Sequence, residues 1–134
     1  MSLIVAHADT QHSLHSARGL KRAGLLRYLL TTVSLQRPAW LGPALQAVAP
    51  QTWRRMAQHR SHVGLEPSEV RVFPLPQLLG RLGETGAAQG QRLFARYAGL
   101  LGMRERCGVM AFNSAAVDTF RMLRLAGLPC ILDQ

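Results

Sequence analysis

The first 24 residues place an apolar run directly before a polar segment and an amphipathic stretch. Residues 3–6 are apolar and partly β-branched, whereas residues 7–13 are polar apart from Ala8. From residue 14 to residue 23, apolar side chains recur at three- and four-residue intervals, and Gly24 follows, which is typical of a helix that ends at a glycine. The pattern predicts a strand, a loop and a helix with Ser13 as its N-cap, which is the first unit of an open α/β sheet.

Further short apolar runs alternate with helical patterns along the rest of the chain. The predicted strands are residues 26–33, 70–73, 109–112 and 130–132; the predicted helices are residues 45–58, 77–82, 91–106 and 115–126. A glycine-rich break is predicted at residues 83–90. This alternation predicts a Rossmann-like doubly wound parallel sheet of about five strands, with helices on both faces and the first strand near the middle.

Two of the predicted helices have recognisable apolar faces. In residues 91–106 the expected buried face consists of Leu93, Phe94, Tyr97, Leu100 and Leu101. In residues 115–126 the side chains expected to point inward are Val117, Phe120 and Leu123. Gly127 and Pro129 follow this last helix and predict its end.

The charge balance admits several kinds of partner. The 134 residues suffice for one domain and carry a formal net charge of +9, nearly all of it from arginine. Such a charge suits nucleic acid, an anionic membrane surface or phosphorylated small molecules, although arginines on solvated helix faces would explain it equally. Trp40 and Trp53, with nearby arginines, could contact a membrane interface or pack against the core. Nucleic acid is not favoured, because no helix-turn-helix or RNP-like pattern is present.

The two cysteines and the hydropathy of the chain predict where in the cell the protein is located. Cys107 and Cys130 are far apart and lack metal-ligand or CxxC spacing, which predicts two inert thiols in a reducing cytoplasm. Met1 leads straight into the first apolar run without a basic segment, so no signal peptide is predicted. No stretch approaches the length of a transmembrane helix. We therefore expect a cytoplasmic protein that is soluble or lies peripherally at the inner face of the membrane.

Polar residues follow three of the predicted strands, where each strand ends. The candidate binding residues are His7, Asp9, Thr10, Gln11, His12 and Ser13 after the first strand, Asn113 and Ser114 after the fourth, and Asp133 and Gln134 after the fifth. Ligands of open α/β sheets bind at the carboxyl ends of the strands, so these side chains are expected to line a common site. The alternative interpretation is that they only cap helices and turns.

Common catalytic and cofactor motifs are missing from the sequence. It contains neither GxGxxG nor GxxxxGK[ST], which argues against the usual nicotinamide oxidoreductases and nucleoside triphosphatases. GxSxG is also missing, and the histidines lack the spacing of metal ligands. No bound cofactor, metal site or catalytic residue is therefore predicted.

The two ends of the chain resemble one family of enzymes. Residues 7–13, followed by Leu20-Lys21-Arg22-Ala23-Gly24-Leu25, look like the N-terminus of bacterial glycosyltransferases of family 4. The ending, residues 124–134, is similar to the close of an α/β unit in the same proteins, while residues 38–90 match only in general character. Ala8 and Asp9 differ from the pattern, since many relatives have glycine in this loop.

The resemblance implies a GT-B enzyme in which two Rossmann-like domains face each other across a cleft. It implies that residues 1–134 form the N-terminal, acceptor-binding domain, inactive alone. A second domain, expected beyond Gln134, would bind the nucleotide-sugar donor without a metal. The partners implied are a nucleotide sugar and a carbohydrate or lipid-linked acceptor. The competing hypothesis is a non-catalytic basic α/β module that binds nucleic acid or an anionic membrane surface.

Overall fold

The computed structural model describes residues 1–8, 11–32, 41–51, 54, 64–112 and 116–133, with the backbone alone for residues 11, 12, 41, 42 and 45. The strands are β1 (Leu3–Ala6), β2 (Leu26–Thr31), β3 (Val70–Val72), β4 (Gly108–Phe112) and β5 (Cys130–Asp133). The helices are α1 (Gln11–Arg22), α2 (Leu41–Val48), α3 (Leu75–Gly80), α4 (Glu84–Glu105) and α5 (Ala116–Leu125), and a short 3-10 helix spans Pro67–Glu69.

The five strands form one parallel sheet in the order β3-β2-β1-β4-β5. The first strand therefore lies in the centre, and the chain crosses over from β3 to β4 on the other side of it. Ala6 pairs with Ala111, and Phe112 pairs with Asp133, so the carboxyl ends of β1, β4 and β5 lie side by side. The predicted Rossmann-like parallel fold is confirmed.

Helices cover both faces of the sheet. On one face Ile4 and Ala6 of β1 pack in a core with residues of α4 and α5, including Phe94 and Leu123. On the opposite face Val5 packs with Ala17 of α1. Because successive side chains of a strand point to opposite faces, a strand buried on both sides needs a continuous apolar run. This explains why the sequence of β1 is apolar throughout.

The glycine-rich break predicted at residues 83–90 is wrong, because α4 begins at Glu84 and runs through it. Gly86 and Gly90 lie on the buried side of this helix, against α3. A Cβ at Gly90 would lie 2.9 Å from the Cα of Pro76, and one at Gly86 would overlap the carbonyl oxygen of Leu79. These glycines weaken the helix intrinsically but allow a close approach of α3.

Two predicted helix faces are wrong in part. Leu93, Leu100 and Val117 are exposed, although the periodicity assigned them to the core. The buried side of α4 is made of small residues together with Phe94 and Leu101, since α3, α5 and the sheet all approach it closely. In α5 the buried residues are Ala116, Thr119 and Leu123. Where a helix packs closely against its neighbours, the size and shape of the side chains, as well as their hydropathy, decide which face is buried.

Smaller differences concern β2 and α2. The predicted second strand extended to Val33, whereas β2 ends at Thr31 and Val33 lies outside the described residues. The helix predicted at residues 45–58 is interrupted before Pro50: α2 stops at Val48, and Pro50, Gln51 and Arg54 are again helical. Residues 52, 53 and 55–58 lie outside the described residues. Within the described part of the chain, no helix is both long enough and apolar enough to cross a bilayer.

A polar network joins the end of α4 to the sheet. The carboxylate of Glu105 accepts hydrogen bonds from Arg27 Nε at 2.7 Å and from the hydroxyl of Tyr28 at 3.2 Å. Arg71 Nη2 lies 3.2 Å from the same carboxylate, and its guanidinium lies 4.3 Å from the centre of the Tyr28 ring. Glu105 therefore connects α4 with β2 and β3.

The pKa values of this network reflect its burial and its charges. Burial acts to raise the pKa of Glu105, but the hydrogen bond from Arg27 and the charges of Arg71 and Arg27 outweigh it, so the net pKa is lowered. Burial, with the nearby Glu105 charge, raises the pKa of Tyr28. Tyr28 thus stays a neutral hydrogen-bond donor to an ionised carboxylate.

Candidate functional site

The carboxyl ends of β1, β4 and β5 bring three predicted segments together. The ring of His7, which follows β1, contacts the ring of Phe112 edge to face, with 4.6 Å between the ring centres and 83° between the planes. Phe112 ends β4 and pairs with Asp133 of β5. His7 and Asp133 therefore flank Phe112 at one edge of the sheet.

Asp133 is held by the helix that follows the first loop. The hydroxyl of Ser16 in α1 donates a hydrogen bond of 2.7 Å to Oδ2 of Asp133. A carboxylate offers about four acceptor positions, so this one donor does not exhaust its capacity. We call His7, Ser16, Phe112 and Asp133 the rim cluster.

A cleft opens at the carboxyl ends of β1 and β2. Its volume is about 430 Å³, and its lining includes Ala8, Thr32, Pro76, Gln77, Arg81 and Gln91. Amide groups, a hydroxyl and a guanidinium are thus combined with apolar surface, a mixture that is common in small-molecule sites. We call this space the rim cleft.

Thr32 organises the rim cleft. Its hydroxyl donates a hydrogen bond of 2.8 Å to the carbonyl oxygen of Ala8 and accepts one of 3.1 Å from Nε2 of Gln77. One buried side chain therefore joins the loop after β1, the end of β2 and helix α3. The amide of Gln77 keeps a second N–H and a carbonyl oxygen with which it could bind a ligand.

We expect the Thr32→Val variant to lose about 1 to 2 kcal/mol of unfolding free energy, because the carbonyl of Ala8 then lacks its partner. The neighbouring Thr31 is the matched control. Both threonines are 1% exposed, yet the Thr31 hydroxyl has no hydrogen-bond partner among the described residues. Thr31→Val should be neutral or stabilising in urea unfolding. If Thr32→Val and Thr31→Val lose equal amounts of unfolding free energy, the hydrogen bond from Thr32 to Ala8 does not stabilise the fold as described.

The structure places some of the predicted binding residues and leaves others outside its description. His7 and Asp133 lie in the rim cluster. Gln11 and His12 belong to the first turn of α1, but their side chains are not described. The predictions for Asp9, Thr10, Asn113, Ser114 and Gln134 fall outside the described residues.

The prediction that Ser13 is the N-cap is wrong. Helix α1 begins at Gln11, so Ser13 lies within the first turn. Its side chain is fully buried and is not accessible to a ligand in this arrangement. The amphipathic stripe, which starts at Leu14, therefore marks the apolar face of the helix and not its beginning.

Sequence reasoning missed most of the rim cleft. Thr32 could have been found by the carboxyl-end rule, but the predicted strand extended past it. Gln91 was predicted as the first residue of a helix, but no local signal places that helix beside the strand ends. No local sequence pattern marks Gln77 and Arg81 as binding residues, because the packing of α3 is what brings them to the cleft.

No cluster of three or more potential metal ligands occurs among the residues that the structure describes.

The sheet order and the polar rim define an α/β protein of the Rossmann-like class. Comparisons with models of protein families, with curated protein sequences and with solved structures found no match.

Proposed function

We propose that this chain is the acceptor-binding N-terminal domain of a nucleotide-sugar-dependent glycosyltransferase. The observation that carries the proposal is that the rim cluster and the rim cleft both lie at the carboxyl ends of strands of one parallel sheet. In open α/β sheets this edge is where ligands bind. The resemblance of the chain ends to family 4 glycosyltransferases supports the same assignment.

The side chains of the rim cluster and of the rim cleft are suited to binding a carbohydrate. Sugar hydroxyls both donate and accept hydrogen bonds, so amide and carboxylate side chains such as Gln77, Gln91 and Asp133 can bind them. The rim cleft, at about 430 Å³, lies within the usual size range of small-molecule sites. Arg81 could bind a phosphate on a lipid-linked acceptor, because a guanidinium matches phosphate oxygens.

In this proposal the residues of the rim cluster and the rim cleft hold the acceptor in position. They do not bind the nucleotide-sugar donor. In glycosyl transfer an acceptor hydroxyl attacks the anomeric carbon and the nucleoside diphosphate leaves. The resemblance implies that the nucleotide sugar would be bound by a second Rossmann-like domain. Holding the acceptor in a reactive orientation would be the contribution of this domain to the rate.

Ligand binding to the isolated chain tests the proposal. Saturation-transfer NMR with methyl glycosides and sugar phosphates, which represent acceptors, should detect at least one bound sugar. In the Gln91→Ala variant we expect affinity to fall about fivefold, the effect of one lost hydrogen bond. Gln89→Ala is the matched control, since Gln89 is an exposed glutamine of the same helix outside the cleft lining.

Two results would overturn the proposal. One is that no sugar in the panel gives saturation transfer; the other is that Gln91→Ala and Gln89→Ala bind alike. Steeply salt-dependent binding to unrelated DNA duplexes, with no effect of sugar, would support the basic-module hypothesis in its place.

A further inference from the structure

A second hollow lies against the last two turns of helix α1. Its volume is about 510 Å³, and its described lining consists of Arg18, Lys21, Arg22 and Gly64. Three of these four residues are cationic, and none of them lines the rim cleft. We call this space the basic hollow. Its size admits a small molecule, and its charge favours an anion.

Lys21 has a partner at the side of the basic hollow. Its Nζ donates a hydrogen bond of 2.6 Å to Oε2 of Glu69, which also accepts one of 2.7 Å from the backbone N–H of Glu66. These two bonds lower the pKa of Glu69, so its carboxylate is ionised at neutral pH. Glu69 therefore compensates the charge of Lys21 and fixes the position of its ammonium group.

Arg18 and Arg22 lie four positions apart in α1, so they share one face of the helix. Like charges at this spacing repel each other. Among the residues that the structure describes, no carboxylate forms an ion pair with Arg22. The helix dipole accounts for a cation in the last turn but not for Arg18, which lies one turn earlier. An anion bound against both guanidinium groups would turn their repulsion into an attraction.

Gly64 lies close to the side chain of Arg18. Its φ of +90° is in the region that favours glycine, and a Cβ at this position would lie 2.9 Å from Nε of Arg18. A larger residue would therefore push the Arg18 side chain aside. Glycine at position 64 allows the main chain to pack against Arg18 while Arg18 lines the hollow.

We propose that the basic hollow binds the phosphoryl group of a small phosphorylated molecule. A guanidinium presents paired N–H donors that match two phosphate oxygens, and two arginines one helical turn apart can hold adjacent oxygens. A bilayer or a nucleic-acid duplex fits less well, because the three cations fall within residues 18–22 and line one hollow instead of an extended surface. This inference does not depend on the ligand of the rim.

A titration followed by amide chemical shifts tests the site. The probes are inorganic phosphate and pyrophosphate, added at constant ionic strength against sodium chloride. We expect saturable shifts at Arg18, Arg22 and Gly64, with tighter binding of pyrophosphate because of its greater charge. Chloride alone should give no saturable shift at these residues.

Matched variants separate the hollow from overall charge. Arg22→Gln should lower the affinity for pyrophosphate about tenfold, the effect of one lost charge-assisted hydrogen bond. Arg104→Gln is the control, because Arg104 is an exposed arginine of α4 outside the lining and the change in charge is the same. Gly64→Ala should lower the affinity at least about threefold by displacing Arg18. Gly127→Ala, which has a similar positive φ but open space around its Cβ, should bind like the wild-type protein.

Several outcomes would overturn the proposal. Equal affinities of Arg22→Gln and Arg104→Gln would reduce the binding to bulk charge. Shifts that grow without saturation would mean an adventitious ion only. Saturable shifts at Thr32 and Gln77, without any at Arg22, would place the phosphate in the rim cleft. Anionic vesicles or duplex DNA that shift Arg22 when pyrophosphate does not would assign these cations to an extended surface.

Discussion

Replacing Gly86 with alanine is expected to lower the free energy of unfolding by about 3 kcal/mol, a loss typical of overpacking in a closely packed interface. The added Cβ would overlap the carbonyl oxygen of Leu79. Main-chain atoms cannot move aside as the end of a flexible side chain can. Helix α3 would have to shift, and because it contributes Gln77 and Arg81 to the rim cleft, sugar binding should weaken as well.

Gly19→Ala is the control for Gly86→Ala. Gly19 also lies inside a helix, but a Cβ there would have no neighbour within 4 Å. Alanine should therefore stabilise α1 by up to about 1 kcal/mol, the difference in intrinsic helix propensity. Urea unfolding of both variants measures the contrast. A Gly86→Ala protein as stable as Gly19→Ala would show that α3 does not pack against α4 as described.

Removing the carboxylate of Glu105 is expected to cost about 2 to 3 kcal/mol at neutral pH. The Glu105→Ala variant leaves the buried hydroxyl of Tyr28 without its acceptor and ends the contacts with Arg27 and Arg71. Since both arginines are about half exposed, water screens part of their attraction, and most of the loss should come from Tyr28. Urea unfolding measures the change.

The same variant should change the pH dependence of stability. Because the pKa of Glu105 is lowered in the folded protein, its contribution is fully present above the ordinary glutamate pKa of about 4.3. The contribution is lost as the pH falls through the lower folded value. Wild-type protein should therefore lose more stability than Glu105→Ala on acidification.

Glu84→Ala is the control for the pH experiment. Glu84 is exposed in the first turn of the same helix, where its charge interacts mainly with the helix dipole. We expect this variant to lose no more than about 1 kcal/mol at neutral pH and to keep the loss of stability in acid that Glu105 causes. If Glu105→Ala and the wild-type protein lose stability in parallel below neutral pH, the network does not hold an ionised carboxylate.

The sheet could be predicted from sequence because burial on both faces leaves a continuous apolar run in each strand. The runs at residues 70–73, 109–112 and 130–132 agree with β3, β4 and β5 to within one residue at either end. The general rule of right-handed crossovers then predicted β1 near the middle of the sheet, where the structure has it. The beginning of α4 could not be predicted, because glycine in isolation favours a break and only the approach of α3 explains Gly86 and Gly90.

The candidate site could be predicted only where it follows from strand ends. His7 and Asp133 come directly from the rule that parallel strands deliver their carboxyl ends to one edge. Ser16 and Gln91 belong to helices, and their position at that edge depends on how those helices pack. Such tertiary placement has no signature in a single sequence.

A map of amide chemical shifts tests the central claim, that the carboxyl edge of the sheet is the binding surface. The chain would be titrated with the glycoside or sugar phosphate that gives the strongest saturation transfer. We expect the largest shifts at His7, Ala8, Thr32 and Asp133, with little change at Ser2 and Cys107 beside the amino ends of the strands. Shifts concentrated at Ser2 and Cys107, or on α5 alone, would contradict the assignment of the site.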